Sequence, residues 1–243
     1  MMRLGEEAAP VSASVAEAYR SNGTLWQRLK AANADVWDEY LENDFIWNLA
    51  EGKLSEASYR HYIVQDYLYC INYSRAYALA AYKADTIADM RKSLDTLLAV
   101  LDSELVLHRS LLESWGISMA DLDSTPESNA NVAYTRYILD CGAAGDVLDL
   151  HTALSPCVIG YAEVGRLLID HERTVLEGNP FREWIEQYAG DEYQEVAQAA
   201  EAHLEEVAVG RLSEERFAQL AKIFAQTVQL DIKFWEMGFR IEN

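Results

Sequence analysis

The sequence predicts an all-α protein, a single-domain helical bundle, and three observations support that prediction. Only 4 of the 243 residues are prolines, so long stretches lack the residue that most strongly interrupts a helix. Apolar residues recur at helical spacing, as the leucines from Leu94 to Leu112 do. Runs that alternate apolar and polar residues between turn signals, which would predict strands, are absent from the sequence.

The pattern divides the chain into an N-terminal arm and one helical domain. Residues 1–22 are small, polar and unpatterned, which predicts a mobile arm before a domain over residues 23–243. In the first predicted helix, Leu25, Leu29 and Trp37 form an apolar stripe. Residues 117–128, rich in Asp, Ser and Pro, predict a loop. The predicted helices cover residues 24–39, 42–51, 55–83, 86–115, 129–141, 145–174, 179–189, 191–208 and 213–239.

The third predicted helix carries a carboxylate inside a stripe of tyrosines. A carboxylate on such a face must be paired or hydrogen-bonded, because desolvating an unpaired charge is costly. Asp66 therefore either accepts hydrogen bonds from tyrosine hydroxyls inside the bundle or binds an amino-bearing or cationic ligand between aromatic rings. The residues that spacings of 3 and 4 place on this face are Tyr59, Tyr62, Asp66, Tyr69 and Tyr73.

The fourth predicted helix begins with a capping box at Thr86–Asp89 and ends before Gly116, a residue suited to left-handed backbone. Within this helix, Glu104 and His108 stand one turn apart, a spacing that two metal ligands could share. The sequence contains no Glu-x-x-His motif, however, so the paired di-iron pattern of four-helix bundles is missing. We therefore predict an intrahelical hydrogen bond or ion pair between Glu104 and His108, and no metal site.

The sixth predicted helix has a cysteine directly after an internal proline. Pro156 cannot donate a hydrogen bond to Thr152, so it should bend the helix and leave a carbonyl free. Cys157 has Gly160 and Tyr161 on its own face, and the small glycine would let a flat ring approach the sulfur. Because a buried cysteine is often only a small apolar residue, this pattern alone leaves a structural and a catalytic role open.

The last predicted helix places Asp231 on an apolar face that also carries Phe224 and Trp235. Asp66, Asp231 and Cys157 thus come from three different helices, which suggests a pocket in the core of the bundle. Two separate buried hydrogen bonds would explain the same two carboxylates, and the spacing does not decide between these interpretations.

Charge and cysteine content exclude several classes of function. The 20 basic and 40 acidic residues give a formal net charge of −20, which phosphate backbones and anionic lipid surfaces would repel. We therefore expect neither a nucleic-acid partner nor a membrane partner. Three scattered cysteines predict no disulfide framework, and Cys70 and Cys141 are expected to be structural. Because neither a leader peptide nor a run of about 20 apolar residues is recognisable, the chain is expected to be cytoplasmic.

Eight segments along the chain carry a resemblance to a known family. They are Phe45–Tyr69, Glu104–Arg109, Tyr134–Thr135, Leu154–Cys157, Tyr161–Gly165, Asn179–Phe181, Trp184–Tyr188 and Phe234–Gly238. In this set and this order, which extends over roughly residues 24–239, the sequence resembles the TenA (thiaminase II, TenA/THI-4) family. The resemblance implies a haem-oxygenase-like bundle and a homotetramer. Because the sequence has no glycine-rich phosphate loop, no GxSxG motif and no Rossmann fingerprint, we expect any chemistry to need no cofactor. The resemblance also implies hydrolysis of an aminopyrimidine in thiamin salvage, either ammonia release from 4-amino-5-aminomethyl-2-methylpyrimidine or cleavage of thiamin.

The resemblance further implies roles for the residues singled out above. Cys157 resembles the nucleophile that adds to the pyrimidine carbon next to a ring nitrogen, and Asp66 resembles the carboxylate that holds the 4-amino group and the adjacent nitrogen. Asp231 falls where the family more commonly has glutamate as the proton donor, and it is shorter by one methylene. The tyrosines that the resemblance places in the substrate pocket are Tyr69, Tyr134, Tyr161 and Tyr188.

Two other classes of function stay open at this point. One is a non-catalytic pyrimidine-binding or regulatory protein of the same fold, which would act indirectly because the negative charge disfavours contact with DNA. The other is a metal-dependent or haem-dependent oxidoreductase. No histidine precedes His61, which speaks against a haem ligand near the N-terminus.

Overall fold

The computed structural model describes residues 12–243, apart from the side chain of Ser103, and every regular element in this range is a helix. The all-α prediction is therefore confirmed. The α-helices are α1 (Ala13–Arg20), α2 (Leu25–Ala32), α3 (Ala34–Leu41), α4 (Asp44–Ala50), α5 (Glu56–Lys83), α6 (Ile87–Ala99), α7 (Leu105–Ser114), α8 (Met119–Ser124), α9 (Asn129–Ala144), α10 (Val147–Ser155), α11 (Tyr161–Ile169), α12 (Arg182–Ala189), α13 (Asp191–Ala208) and α14 (Glu214–Arg240). Two π-helical turns, π1 (Val100–Glu104) and π2 (Pro156–Gly160), join α6 to α7 and α10 to α11.

Helices α5 and α14 are the longest elements and form the centre of the bundle. They pack against each other, and both pack against α9 and α10. Each begins at a serine that caps its first turn: the Ser55 hydroxyl accepts from the Ser58 backbone at 3.0 Å, and the Ser213 hydroxyl accepts from the Arg216 backbone at 3.1 Å. These two central helices carry Asp66 and Asp231.

Part of the mobile arm predicted over residues 1–22 is a helix in the structure. Residues Ala13–Arg20 form α1, whose N-terminus is capped by Ser12 and whose Ala18 side chain is buried. The helix packs against α2 and α14, and Arg20 pairs with Glu214 at 3.0 Å. The prediction was wrong for α1 because a helix of only two turns has too few apolar residues to show a periodic pattern. The rest of the predicted arm, residues 1–11, lies outside the described residues.

Two other boundaries differ from the predicted ones for local reasons. The predicted helix 24–39 is broken at Asn33, whose side chain donates to the carbonyls of Leu29 and Ala221 at 2.9 and 3.1 Å. This side-chain hydrogen bonding competes with the helix and starts α3 in a new direction. The predicted loop 117–128 contains the short helix α8, which is stabilised by a capping box between Ser118 and Asp121.

The two π-helical turns replace what the sequence predicts as continuous helices. A π turn carries one extra residue per turn, and such turns are frequent at functional sites. Pro156 has no backbone N–H to donate to the preceding turn. At this position the backbone forms the wider π turn π2, whereas the sequence predicts only a bend. Both turns contribute side chains to the same cavity, as described below.

The segment Val147–Ile169, which spans α10, π2 and α11, is apolar enough by composition to cross a membrane. Within its most apolar window, 72% is buried inside the fold. This burial is typical of a core helix, whose apolar surface is covered by protein.

Close contact between α11 and α12 depends on a glycine. A Cβ atom at Gly165 would overlap the backbone of Tyr188 and Ala189. The absence of a side chain therefore lets α12 lie directly against α11, which brings Tyr188 to the cavity.

Candidate active site

A cavity of about 210 Å³, here called the inner cavity, lies between α5, the two π turns, α11, α12 and α13. Five of the seven predicted site residues line it: Asp66, Tyr69, Cys157, Tyr161 and Tyr188. They come from α5, π2, α11 and α12, elements far apart in the sequence. The structure thus brings the thiol and one of the two carboxylates to a common space that tyrosine rings surround.

Cys157 lies in π2 and faces the inner cavity. Burial and the nearby carboxyl group of Asp231 raise the pKa of its thiol well above the ordinary value, although the neighbouring hydroxyl of Tyr69 acts in the opposite direction. The thiol is therefore neutral at rest. The hydroxyl of Tyr193 donates to the backbone carbonyl of Cys157 at 3.3 Å, so α13 helps to hold the π turn.

Asp66 forms an ion pair that the sequence did not predict. His108 Nε2 donates to Asp66 Oδ2 at 2.8 Å, while His108 Nδ1 donates to the backbone carbonyl of Glu104 at 2.9 Å. Burial alone would lower the pKa of His108, but the hydrogen bond to Asp66 and the charges of Asp66 and Glu104 outweigh it and raise this pKa to about 9. At neutral pH the imidazolium uses both nitrogens as donors, and it holds Asp66 as an acceptor beside the cavity.

The expected contact between Glu104 and His108 is present in a different form. The intrahelical hydrogen bond runs to the backbone carbonyl of Glu104 rather than to its carboxylate. Burial raises the pKa of the Glu104 carboxyl, while the nearby charge of His108 lowers it. The contact between His108 and Asp66 spans 42 residues, so no periodic signal in the sequence could have revealed it.

Asp231 lies behind the wall of the inner cavity rather than in its lining. Tyr40 donates to its Oδ2 at 3.2 Å, and Oδ1 has no hydrogen-bond partner among the described residues. Burial raises the pKa of Asp231 to about 8, although the hydrogen bond from Tyr40 and the nearby hydroxyls of Tyr134 and Tyr161 lower it. Asp231 is therefore protonated at neutral pH, which is the state that a proton donor needs.

Tyr134, like Asp231, is not among the residues that line the inner cavity. Its side chain is buried, and its ring lies 5.0 Å from that of Tyr69. The hydroxyl of Tyr161, which does line the cavity, accepts a hydrogen bond from Trp235 Nε1 at 2.9 Å. Because Trp235 supplies that donor, the proton of the Tyr161 hydroxyl is free to be donated elsewhere.

The expected role of Gly160 was wrong. A Cβ atom at this position would lie 3.2 Å from the Tyr40 hydroxyl oxygen and 3.3 Å from the Trp37 ring. The glycine therefore makes room for Tyr40, the partner of Asp231, and not for a ring beside the sulfur of Cys157.

Three further lining residues were missed or assigned a purely structural role. Cys70, expected to be structural, lines the cavity one turn after Asp66, and burial raises the pKa of its thiol. Glu104 and Tyr193 line it as well. The four-residue spacing from Asp66 was a signal for Cys70, whereas Tyr193 lies on a different helix and had none.

Two groups among the described residues have ligand atoms close enough to hold a metal ion. In each group, these atoms lie within 4.8 Å of one another: Asp66, Cys70 and His108 in one, and Asp89, His203 and Glu206 in the other. In the first group both nitrogens of His108 act as donors, so a metal would have to displace a proton from the imidazolium.

Comparison with known proteins places this arrangement in a family. The sequence matches the TENA/THI-4/PQQC family over residues 30–240. The chain belongs to this family. A TENA/THI-4/PQQC relative from Halalkalibacterium halodurans, named aminopyrimidine aminohydrolase, is 33% identical over 84% of this chain and 90% of its own length.

Solved structures agree with the TENA/THI-4/PQQC assignment. A Silicibacter protein described as a TenA family transcription regulator has a TM-score of 0.84 and 36% identity, covering 89% of this chain and 97% of its own. A Shewanella denitrificans domain of unknown function, described as having a heme oxygenase-like fold, has a TM-score of 0.70 at 16% identity, covering 91% and 94% of the two chains. The latter similarity shows the fold alone, and it confirms the haem-oxygenase-like architecture that the resemblance implied.

Proposed function

We propose that this protein is an aminopyrimidine hydrolase of thiamin salvage, which releases ammonia from 4-amino-5-aminomethyl-2-methylpyrimidine or cleaves thiamin. The observation that carries the proposal is the inner cavity, where Cys157 and Asp66, whose carboxylate is paired with His108, line one space walled by tyrosines. The 33% identity to a protein named aminopyrimidine aminohydrolase supports the same function.

Asp66 is proposed to recognise the amino edge of the pyrimidine. His108 occupies Oδ2, so Oδ1 can accept a hydrogen bond from the 4-amino group. The rings of Tyr161 and Tyr188, whose centroids are 5.0 Å apart, and that of Tyr69 supply aromatic faces for a flat heterocycle.

Cys157 is proposed to add to ring carbon C6 while Asp231 protonates the adjacent nitrogen N1. The resting states suit this step, because the thiol is neutral and Asp231 carries a proton. As the carbon–sulfur bond forms, N1 receives a proton that Asp231 supplies through the hydroxyl of Tyr161, which lines the cavity, and the thiol proton returns to Asp231 by the same route. An S–H group has then added across the C=N bond, and this step creates no additional charge in the cavity.

The remaining steps are proposed to use the 4-amino group as an electron source. Its lone pair drives the protonated amine from the C5 methylene as ammonia and leaves an exocyclic double bond at C5. The Asp66 carboxylate stabilises the positive charge that develops on the 4-amino group. Water then adds to the methylene carbon and passes one of its protons to the released ammonia, while the C4–C5 double bond and the neutral 4-amino group are restored. The bond between C6 and the sulfur breaks, the proton on N1 passes to the sulfur, and the aromatic hydroxymethylpyrimidine is released.

The test is ammonia release from the aminomethylpyrimidine by the wild type and by Cys157→Ser. We expect the wild type to be active and the variant to lose activity by at least about 100-fold, because the oxygen is a much poorer nucleophile at this pH. Cys141→Ser is the matched control, since Cys141 does not line the inner cavity. Full activity in Cys157→Ser would refute the nucleophile, and an inactive wild type would refute the function.

A second candidate is a pyrimidine-binding regulator without turnover, which the description of the Silicibacter structure as a transcription regulator favours. It predicts that the wild type binds the aminopyrimidine, as measured by calorimetry, and releases no ammonia.

We also propose that the chain assembles as a homotetramer in the cytoplasm. Apolar side chains are exposed along α6, π1 and α7, as expected of a surface that another copy covers. They are Ile87, Met90, Leu94, Leu98, Leu101, Val106 and Leu107. The free state of Cys70, Cys141 and Cys157 suits a reducing compartment.

A further inference from the structure

Glu104 is an ionisable residue of the inner cavity that the proposed reaction does not use. It is the last residue of π1, and it lines the cavity together with Asp66 and Cys157. His108 donates to the backbone carbonyl of Glu104 rather than to its carboxylate. Within the described part of the chain, no basic side chain lies close enough to the Glu104 carboxylate to form a salt bridge. The carboxylate is therefore available to a bound molecule.

The carboxyl group of Glu104 acts on two walls of the inner cavity. Burial raises the pKa of the Cys70 thiol, and the nearby carboxyl group of Glu104 raises it further. Burial raises the pKa of Tyr193 as well, and the nearby groups of Cys157 and Glu104 add to this increase. Cys70 belongs to α5 and Tyr193 to α13, and both residues line the cavity. A charge that affects both walls lies close to the space between them.

The inner cavity has an acidic group without a matching basic one. Asp66 and Glu104 are its lining carboxyl groups, and neither lysine nor arginine is found among the lining residues that the structure describes. The imidazolium of His108 already pairs with Asp66 at 2.8 Å. Burial raises the pKa of Glu104, although the charge of His108 lowers it, so an empty cavity favours a proton on this carboxyl. A cationic ligand could take the place of that proton, because a buried carboxylate needs a partner of opposite charge.

The proposed substrates carry a positive charge at one defined place. In the aminomethylpyrimidine, the alkyl amine on the C5 methylene is protonated at neutral pH. In thiamin, the same methylene is bonded to the positively charged thiazolium nitrogen. C5 lies between C4, whose amino group is proposed to face Asp66, and C6, which Cys157 is proposed to attack. The charged nitrogen therefore leaves the ring on the side between these two residues, in the cavity that Glu104 also lines.

We infer that Glu104 is the counter-ion of the cationic nitrogen on the C5 methylene, and that it makes the site prefer a charged C5 substituent over a neutral one. This inference rests on the proposed function and deepens it, because it names the residue and the charge that select the substrate. The hydroxymethylpyrimidine product has a neutral hydroxyl where the substrate has an ammonium group, so it loses the interaction. The site is therefore expected to bind the substrate more tightly than a product of nearly the same size.

The test measures the dissociation constants of the aminomethylpyrimidine and the hydroxymethylpyrimidine by calorimetry. Both ligands are titrated into Cys157→Ser, which should not turn the substrate over, and into the same variant combined with Glu104→Gln. We expect Cys157→Ser to bind the aminomethylpyrimidine about 10- to 100-fold more tightly, as a charge-assisted hydrogen bond predicts. Glu104→Gln should lower this preference by about tenfold or more. Glu113→Gln in the same background changes an exposed carboxylate of α7 outside the cavity, and it should leave the preference unchanged.

The outcomes separate this inference from the proposed function. Binding of neither pyrimidine to Cys157→Ser overturns the function and the inference together. Equal affinity for the two pyrimidines in Cys157→Ser overturns the inference alone. The same holds if Glu104→Gln weakens both ligands equally, as a purely structural role would, with folding checked by thermal unfolding and Glu104→Ala as a second variant. A preference that disappears with Glu104→Gln and persists with Glu113→Gln supports the inference.

Discussion

At the scale of single residues, the site is defined by which protons its groups hold. His108 is charged and gives both of its protons to fixed acceptors, while Cys157 and Asp231 are neutral at rest. Burial makes an unpaired charge costly. The charged groups of Asp66 and His108 are therefore in direct contact, and Cys157 and Asp231 keep their protons. A nucleophile and an acid that are both protonated are suited to adding S–H across a C=N bond.

His108 is predicted to position Asp66 for the amino group of the substrate. His108→Leu removes the donor from Asp66 Oδ2 and should raise KM by about 10- to 100-fold, the cost of losing a charge-assisted hydrogen bond. His108→Gln keeps a donor and should recover part of that loss. Steady-state kinetics of both variants provide the test; equal KM values in His108→Leu and the wild type would contradict the positioning role.

The same ion pair predicts how stability depends on pH. The pKa of His108 is about 9 in the folded chain, against an ordinary value of 6.5. Because the folded state binds this proton more tightly, the contribution of about 3 kcal/mol is fully present below pH 6.5 and is lost as the pH rises through 9. Denaturant unfolding of the wild type should show a decline in this window that is smaller in His108→Gln. An identical decline in both proteins would exclude His108 as its source.

The pKa of Asp231 predicts how the activity falls as the pH becomes alkaline. Its pKa of about 8 is raised, so the acid form is present below pH 8 and disappears above it. We expect kcat to fall as the pH rises through 8, and Asp231→Asn to reduce kcat by about 100-fold or more. A pH–rate profile of the wild type tests the first expectation, and a variant as active as the wild type would remove Asp231 from the mechanism.

At the scale of elements, two π turns distinguish the cavity walls from ordinary helix. Val100 and Glu104 come from π1, while Cys157 and Val158 come from π2. An extra residue in a turn rotates the side chains that follow, so a regular helix would place these residues in other directions. The position of the thiol thus depends on the backbone geometry around Pro156 as well as on its own packing.

Replacing the proline tests that dependence. Pro156→Ala restores a donor for the carbonyl of Thr152 and should let π2 relax toward α-helix, which moves Cys157. We expect kcat to fall by about tenfold or more while the melting temperature stays the same or rises, because misplacing a reacting group costs rate rather than stability. Pro180→Ala, at an exposed position outside the cavity, is the control. An unchanged kcat in Pro156→Ala would show that the π turn is not needed.

At the scale of the whole molecule, the sequence predicts the long helices, because their apolar residues recur at a regular spacing. It does not predict contacts between residues that are far apart in the chain. The helix predicted over 55–83 is observed as Glu56–Lys83 because its pattern is long and regular. The ion pair between Asp66 and His108 joins α5 to α7, and no spacing rule covers such a contact. The break at Asn33 was missed for a related reason, since it depends partly on a carbonyl of α14.

The exposed apolar face of α6 and α7 is the part of the molecular surface that the proposed tetramer should cover. Leu98 is 51% exposed on this face and does not line the inner cavity. Leu98→Glu puts a charge into the proposed interface and should shift the protein toward smaller species, because an unpaired buried charge is costly. Light scattering coupled to size exclusion measures the mass, with Val209→Glu, on an exposed loop, as control. A monomeric wild type would contradict the assembly.

The central claim is that one aminopyrimidine binds between Asp66 and Cys157 with Asp231 behind its ring nitrogen. A crystal structure of Cys157→Ser with 4-amino-5-aminomethyl-2-methylpyrimidine tests it most directly, since the variant should bind the substrate without turning it over. We predict the 4-amino group within hydrogen-bonding distance, about 3 Å, of Asp66 Oδ1, and ring carbon C6 facing the side chain at position 157. A pyrimidine bound outside the inner cavity, or inside it with its amino group turned away from Asp66, would contradict the account.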